Sequence, residues 1–257
     1  MFDLSIVIPT CNRGASLASC IESVRAHTQC IYEIIVVDGA STDSTAEVLR
    51  AAQSGMGERI QVIRETQREG FVRAANTGFR AARGRYLTWL NDDARPLAGA
   101  LDRALDQLAF SPRTVGMVAM FCPAHSTRNI AFEAIHRGRA FHLQHVRGTL
   151  YANFGIALRS LWHRLGYFDE RYYLNAADPD LSLKVWHSGL SVVPAIGALI
   201  DHDEIEDARR DSDRGRGAED NAKLFAKWVL PEKNEGVNDF DQVRPCTLKG
   251  LRMPVAA

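Results

Sequence analysis

Apolar residues in the first half of the chain alternate between two spacings. Residues 4–9 form an unbroken apolar run of buried-strand type, and residues 14–28 then place Leu17, Ile21 and Val24 on one helical face. Residues 32–37 repeat the strand pattern and end at Asp38. The cap candidates 41–44 precede Val48, Leu49 and Ala52 on a second helical face. Ile60–Arg64 reads as a weaker strand. Residues 69–83 read as a helix carrying Phe71, Ala75, Phe79 and Ala82, and residues 85–90 as a fourth strand. Leu97, Leu101, Leu105 and Leu108 form a helical stripe ahead of a fifth strand at Val115–Phe121. Strands alternating with helices through short connections predict an α/β fold with a mostly parallel sheet flanked by helices.

The second half is less regular. Residues 122–150 scatter His125, His136, His142 and His145 among arginines with no clear period. Residues 151–158 suit a strand, 159–165 a short helix stopped by Gly166, and 179–188 a helix ended by Gly189. Residues 191–200 read as extended. Residues 203–220 hold twelve charged side chains, eight acidic and four basic, which predicts a solvated loop or lid. Leu224, Phe225, Trp228 and Val229 mark a last helical face before Pro231, and 231–257 reads as an irregular tail.

Composition narrows the classes. The 257 residues fit one large domain, and 31 basic against 31 acidic side chains leave no net charge for bulk electrostatic binding to nucleic acid. No apolar run reaches the roughly 20 residues of a spanning helix. The opening MFDLSIVIPTCNR lacks the basic region of a signal peptide and meets Pro9 early. The five cysteines, an odd number without CxxC spacing, argue against a disulfide framework or structural zinc. Reduced thiols in a cytoplasmic protein are the simplest expectation.

In open α/β sheets, ligands bind beyond the carboxyl ends of the strands. Three predicted strands end in polar clusters, at residues 10–13, 38–43 and 91–93, so these clusters should share one rim. Adjacent carboxylates at Asp92 and Asp93 suit a hard cation, or else a capped turn before Pro96. Asp38 suits hydrogen bonds from a base or sugar, or an Asx-turn. Asp178 precedes Pro179 at the expected helix start, a place for a cap and equally for an ionised general base. His202 is either structural or, if the fold brings it beside Asp93, a metal ligand.

In order and spacing, these clusters resemble the family 2 glycosyltransferases. The segments are SIVIPTCNR (5–13), EIIVVDGASTDST (33–45), GFVRAANTGFRAARGRYLTWLNDD (70–93), GYFDERYYLNAADPDLSLKVWHSG (166–189) and IDH (200–202). The resemblance implies a single glycosyltransferase-A type domain. Its nucleotide-sugar-binding half would be Rossmann-like and span 1–121, its acceptor and catalytic half 122–230. It implies that Thr10, Asn12, Asp38, Asn76, Asn91 and Asp92 hold the nucleotide, that Asp93 and His202 bind Mn2+ or Mg2+, and that Asp178 is the catalytic base. Asn91 and Ala177 stand where the family commonly has acidic residues. The implied reaction is inverting transfer from a UDP- or dTDP-type donor to a saccharide, lipid-linked or small-molecule acceptor, with peripheral membrane association for a lipid-linked one. A sugar-nucleotide-binding protein with weak or lost catalysis is the alternative. An NAD-dependent oxidoreductase would require GxGxxG after the first strand, where residues 9–14 read PTCNRG.

Overall fold

A computed structural model describes residues 2–123, 129–202 and 208–230. The chain runs β1 (Leu4–Thr10), α1 (Gly14–His27), β2 (Tyr32–Asp38), α2 (Thr45–Met56), β3 (Ile60–Arg64), α3 (Phe71–Ala81), β4 (Tyr86–Trp89), β5 (Ala94–Pro96), α4 (Ala100–Phe110) and β6 (Val115–Phe121). It continues β7 (Ile130–His136), β8 (Arg139–Val146), β9 (Thr149–Tyr151), β10 (Gly155–Leu158), α5 (Arg159–Leu165), α6 (Ala177–His187), β11 (Ser191–His202) and α7 (Ala208–Lys227).

Eight strands form one sheet in the order β3-β2-β1-β4-β10-β6-β11-β5. Every residue of β1, β2 and β4 is buried, as expected of strands covered on both faces. The pairs β1–β2, β2–β3, β1–β4 and β6–β11 are parallel, while β10 runs antiparallel between β4 and β6. The register sets Thr10 opposite Asp38, so the ends of β1 and β2 share a rim. The short β5 pairs antiparallel with β11 and sets Ala94 opposite His202. That pairing, which no apolar pattern announces in three residues, carries His202 to the residue that follows Asp93.

Close approach holds α3 on the sheet. A Cβ at Gly78 would collide with the side chain of Val7 on β1. Behind them, Phe79, Trp89, Trp162 and Phe168 form an aromatic cluster with ring centroids 4.4–5.9 Å apart. The fully buried Glu33 accepts hydrogen bonds from the Ser5 hydroxyl (2.7 Å), the Arg83 amide (2.7 Å) and Arg83 Nε (2.8 Å), so its charge is compensated on all sides.

The second half departs from the pattern reading in three places. Residues 122–150 contain β7 and β8, which with β9 make a separate three-stranded antiparallel sheet. Its partly exposed faces blur the period that a buried strand would show. The span 151–158 is not one strand, since β9 ends at Tyr151 and β10 begins at Gly155. Most of the charged stretch 203–220 is not a loop: α7 begins at Ala208, while 203–207 lie outside the described residues. The tail 231–257 also lies outside them.

Candidate active site

A cleft of about 810 Å³ opens along the rim where β1 and β4 end, walled by the β8–β9 region, the start of α6 and α7. Thr10, Asn91, Asp92, Asp93, Asp178 and His202 all line it. Six residues expected at the site are thus brought together from four separate stretches of chain.

The acidic pair is held by a buried cation and not left in open repulsion. Arg13 Nη1 lies 2.7 Å from Asp93 Oδ2 and 3.3 Å from Asp92 Oδ1, with all three side chains at most 5% exposed. Thr10 donates its hydroxyl to Asp92 Oδ2 at 2.9 Å. Asp93 Oδ1 faces His202 Nε2 at 3.1 Å, and the Asn91 amide nitrogen lies 3.1 Å from the same imidazole nitrogen. The edge of the Phe154 ring, with its centroid 5.4 Å from that of His202, completes the wall. Asp93 and His202 therefore present two donors at one point and could hold a divalent cation together with oxygens of a ligand or water. No cluster of three or more His, Cys, Asp or Glu donors occurs among the described residues.

On another wall, α6 begins at Ala177 and its cap position is Ala176, in a left-handed conformation with φ 65°. Asp178 therefore sits inside the first turn, not at the cap as its sequence context predicts. Its Oδ1 is buried with no hydrogen-bond partner, and burial pushes the carboxyl well above the usual range. Burial thus opposes the ionisation that the helix start was expected to favour. Asp180, two residues on, points away. It is fully buried and accepts from Trp228 Nε1 (2.7 Å) and the Tyr172 hydroxyl (3.2 Å), with Lys227 Nζ at 2.7 Å.

Three expected nucleotide ligands do not line the cleft. The Asn12 amide oxygen accepts the Thr42 amide N–H (2.7 Å), tying the β1 exit to the loop after β2. Asp38 is buried. Its Oδ1 accepts the Ser41 amide N–H at 3.0 Å, the Asx-turn geometry, and Oδ2 lies 3.6 Å from Arg64 Nε. Asn76 spends both ends of its amide on Phe168, accepting its N–H (3.0 Å) and donating to its carbonyl (2.9 Å). It fastens α3 to the segment before α6.

The family profile of glycosyl transferase family 2 matches residues 5–161, more than half of the chain. The chain belongs to this family. A PGL/p-HBAD biosynthesis glycosyltransferase of Mycobacterium tuberculosis is 31% identical over 128 residues, 50% of this chain and 44% of that protein. A GalNAc(5)-diNAcBac-PP-undecaprenol beta-1,3-glucosyltransferase of Campylobacter jejuni is 31% identical over 104 residues, 40% of this chain and 34% of that protein. The chain thus aligns with less than half the length of these relatives. Among solved structures, a mannosyltransferase from Pyrobaculum calidifontis in complex with GDP-Man and Mn2+ superposes with a TM-score of 0.68. The identity is 20%, over 90% of this chain and 68% of that one. The fold is that of the glycosyltransferase-A type.

Within this family 2 chain, several cleft residues escaped the pattern reading. Arg13 stands in the strand-end cluster 10–13, and its charge opposite Asp92–Asp93 was the available signal. Asn129, Gln144 and Asn153 line the cleft as linked amides: Gln144 donates to Asn129 Oδ1 (2.9 Å), and Asn153 donates to Gln144 Oε1 (2.9 Å). They lie in and around the hairpin sheet and give no periodic signal. Asp213, Gly217 and Asn221 reach the cleft from α7. Cys122 also lines it, but burial pushes its thiol up to about 12, so it stays protonated at neutral pH.

Proposed function

We propose that this chain is a metal-dependent inverting glycosyltransferase that moves a sugar from a nucleotide-sugar donor to a hydroxyl of a saccharide, lipid-linked or small-molecule acceptor. The observation that carries this reading is one cleft holding both the Asp93–His202 pair, with Asp92 beside it, and the unpartnered Oδ1 of Asp178. Asp178 takes the proton of the acceptor hydroxyl. The acceptor oxygen then forms its bond to the donor's anomeric carbon as the bond to the nucleoside diphosphate breaks. Burial raises this carboxyl above the usual range, which strengthens it as an acceptor of that proton.

Asp93 and His202 would hold Mn2+ or Mg2+, which supplies charge neutralisation at the donor's diphosphate. Asp92, oriented by Thr10 and Arg13, would accept hydrogen bonds from the ribose. Gly39, next to Asp38 and on the cleft wall, gives the nucleoside close access to the backbone there. Asp38 and Asn12 shape that turn, and Asp38 then favours a UDP or dTDP donor only if its carboxylate is shared between Ser41 and the base. The linked amides of Asn129, Gln144 and Asn153 offer donors and acceptors to sugar hydroxyls. A lipid-linked acceptor, as in the name of the Campylobacter relative, would bring the chain to a membrane surface.

The decisive test is Asp178→Asn, assayed for transfer and for thermal shift by the donor with Mn2+. The side chain keeps its shape, so donor binding should persist while transfer falls by about 10²- to 10⁴-fold. Transfer at the wild-type rate would remove Asp178 from the chemistry. Donor binding without transfer in the wild-type protein, across acceptor classes, would favour a binding protein.

A further inference from the structure

We propose that a second cavity, at the opposite end of β4 from the cleft, is a binding site for a phosphate group. It encloses about 600 Å³ and shares no lining residue with the cleft. Arg80, Arg83, Arg85 and Arg159 line it together with Ser160 and His163, and no carboxylate does. The proposal therefore stands independently of the transferase reading.

The sheet builds this cluster. The cleft lies past the carboxyl ends of β1 and β4, whereas Arg85 immediately precedes β4. Antiparallel pairing sets Leu158 opposite Tyr86, and the Arg159 amide donates to the Arg85 carbonyl at 2.9 Å. Two arginines far apart in sequence thus become backbone neighbours. Arg83 enters from the turn after α3, and Arg80 from the last turn of that helix.

Two of the four guanidinium groups already have counter-ions. Arg80 lies 2.8 Å from Glu170, and Arg83 lies 2.7 Å from Glu33. Arg85 and Arg159 pair with no carboxylate among the described residues. In a chain with 31 basic and 31 acidic side chains, two arginines at neighbouring backbone positions of one cavity, neither paired with a carboxylate and one with its guanidinium 5.3 Å from the Tyr86 ring centroid, are a local excess of positive charge. Their planar N–H forks match phosphate oxygens, and the Ser160 hydroxyl and His163 ring add further donors. Leu158, 39% exposed, is part of the lining and sets an apolar surface beside the charges. A phosphate group fits, either on a free metabolite or on a lipid headgroup.

The Nε–Hε resonances of Arg85 and Arg159 report the site directly while inorganic pyrophosphate is titrated into the full chain. Saturable shifts of both are expected, with affinity reduced about tenfold by Arg85→Ala or by Arg159→Ala. Both positions are exposed, so the variants should melt as wild type does. A second arm compares sedimentation with phosphatidylglycerol and with phosphatidylcholine vesicles for wild type and Arg85→Glu/Arg159→Glu. Binding to anionic vesicles that the double variant loses assigns the phosphate to a headgroup. Pyrophosphate shifts without vesicle binding assign it to a free ligand. If neither arginine resonance shifts saturably and vesicle binding is the same for both proteins, the site does not exist.

Discussion

Asp178 and Arg13 show how single side chains carry opposing demands. Burial and an unpartnered Oδ1 raise the Asp178 carboxyl, so the folded protein holds its proton to a higher pH than the unfolded chain does. The stability this confers is fully present below the unfolded value of about 3.9 and is lost as pH rises through the folded value. Asp178→Asn should therefore raise the melting temperature at neutral pH, with the gain shrinking as pH falls towards about 4. A melting series over pH checks it, and a pH-independent difference would contradict the burial argument. Arg13 makes the opposite case, a buried cation satisfied by two carboxylates. Arg13→Leu should destabilise the protein by about 3–5 kcal/mol, since it leaves two buried charges facing each other. Denaturant titration measures that loss, and Mn2+ should recover part of it by taking the guanidinium's electrostatic place.

α7 is held to the site mainly through buried polar contacts. Asp220 is fully buried and accepts the amide N–H groups of Tyr173 (3.0 Å), Leu174 (2.9 Å) and Asn175 (3.1 Å), the turn that leads into α6 and Asp178. Gly70 packs under the same turn with φ 93°, so close to the Tyr173 ring that a Cβ would meet it at 2.5 Å. Asp220→Ala removes the acceptor for all three amides and should cost about 3 kcal/mol in chemical unfolding. Transfer should fall further than donor affinity, because the displaced turn carries Asp178 and not the acidic pair. Gly78→Ala tests the α3–β1 contact. The added methyl meets Val7 and should destabilise by about 1–3 kcal/mol without altering donor binding in the folded fraction.

At the scale of the molecule, the cleft depends on two sheets and two late helices meeting at one rim. A donor bound with Mn2+ at 100 times its dissociation constant should stabilise the protein by about 2.7 kcal/mol, visible as a thermal shift. Excess EDTA should remove most of that shift and the transfer activity together, because the diphosphate would then face Asp92 and Asp93 without a metal. Full activity in EDTA would rule out the metal requirement. No described helix is long and apolar enough to cross a membrane.

Fully buried strands and amphipathic helices are local in their cause. The runs in β1, β2 and β6 and the leucine stripe of α4 therefore predicted their elements to within a few residues. The rim followed from strand ends alone, and it placed Thr10, Asn91, Asp92 and Asp93 together. Other features required the folded chain. His202 reaches Asp93 only because the three-residue β5 pairs with β11, a pairing without a periodic signal. Asn76 and Asp38 look like ligands in sequence, yet Phe168 and Ser41 claim their hydrogen bonds. α7 reads as a charged loop because its stability comes from partners elsewhere: Asp220 under the 173–175 turn and Asp180 beneath Trp228. Asp178 differs from its sequence expectation for the same reason. Its position in the helix is set locally, but its ionisation depends on what encloses it, and that enclosure is assembled from distant segments of the chain.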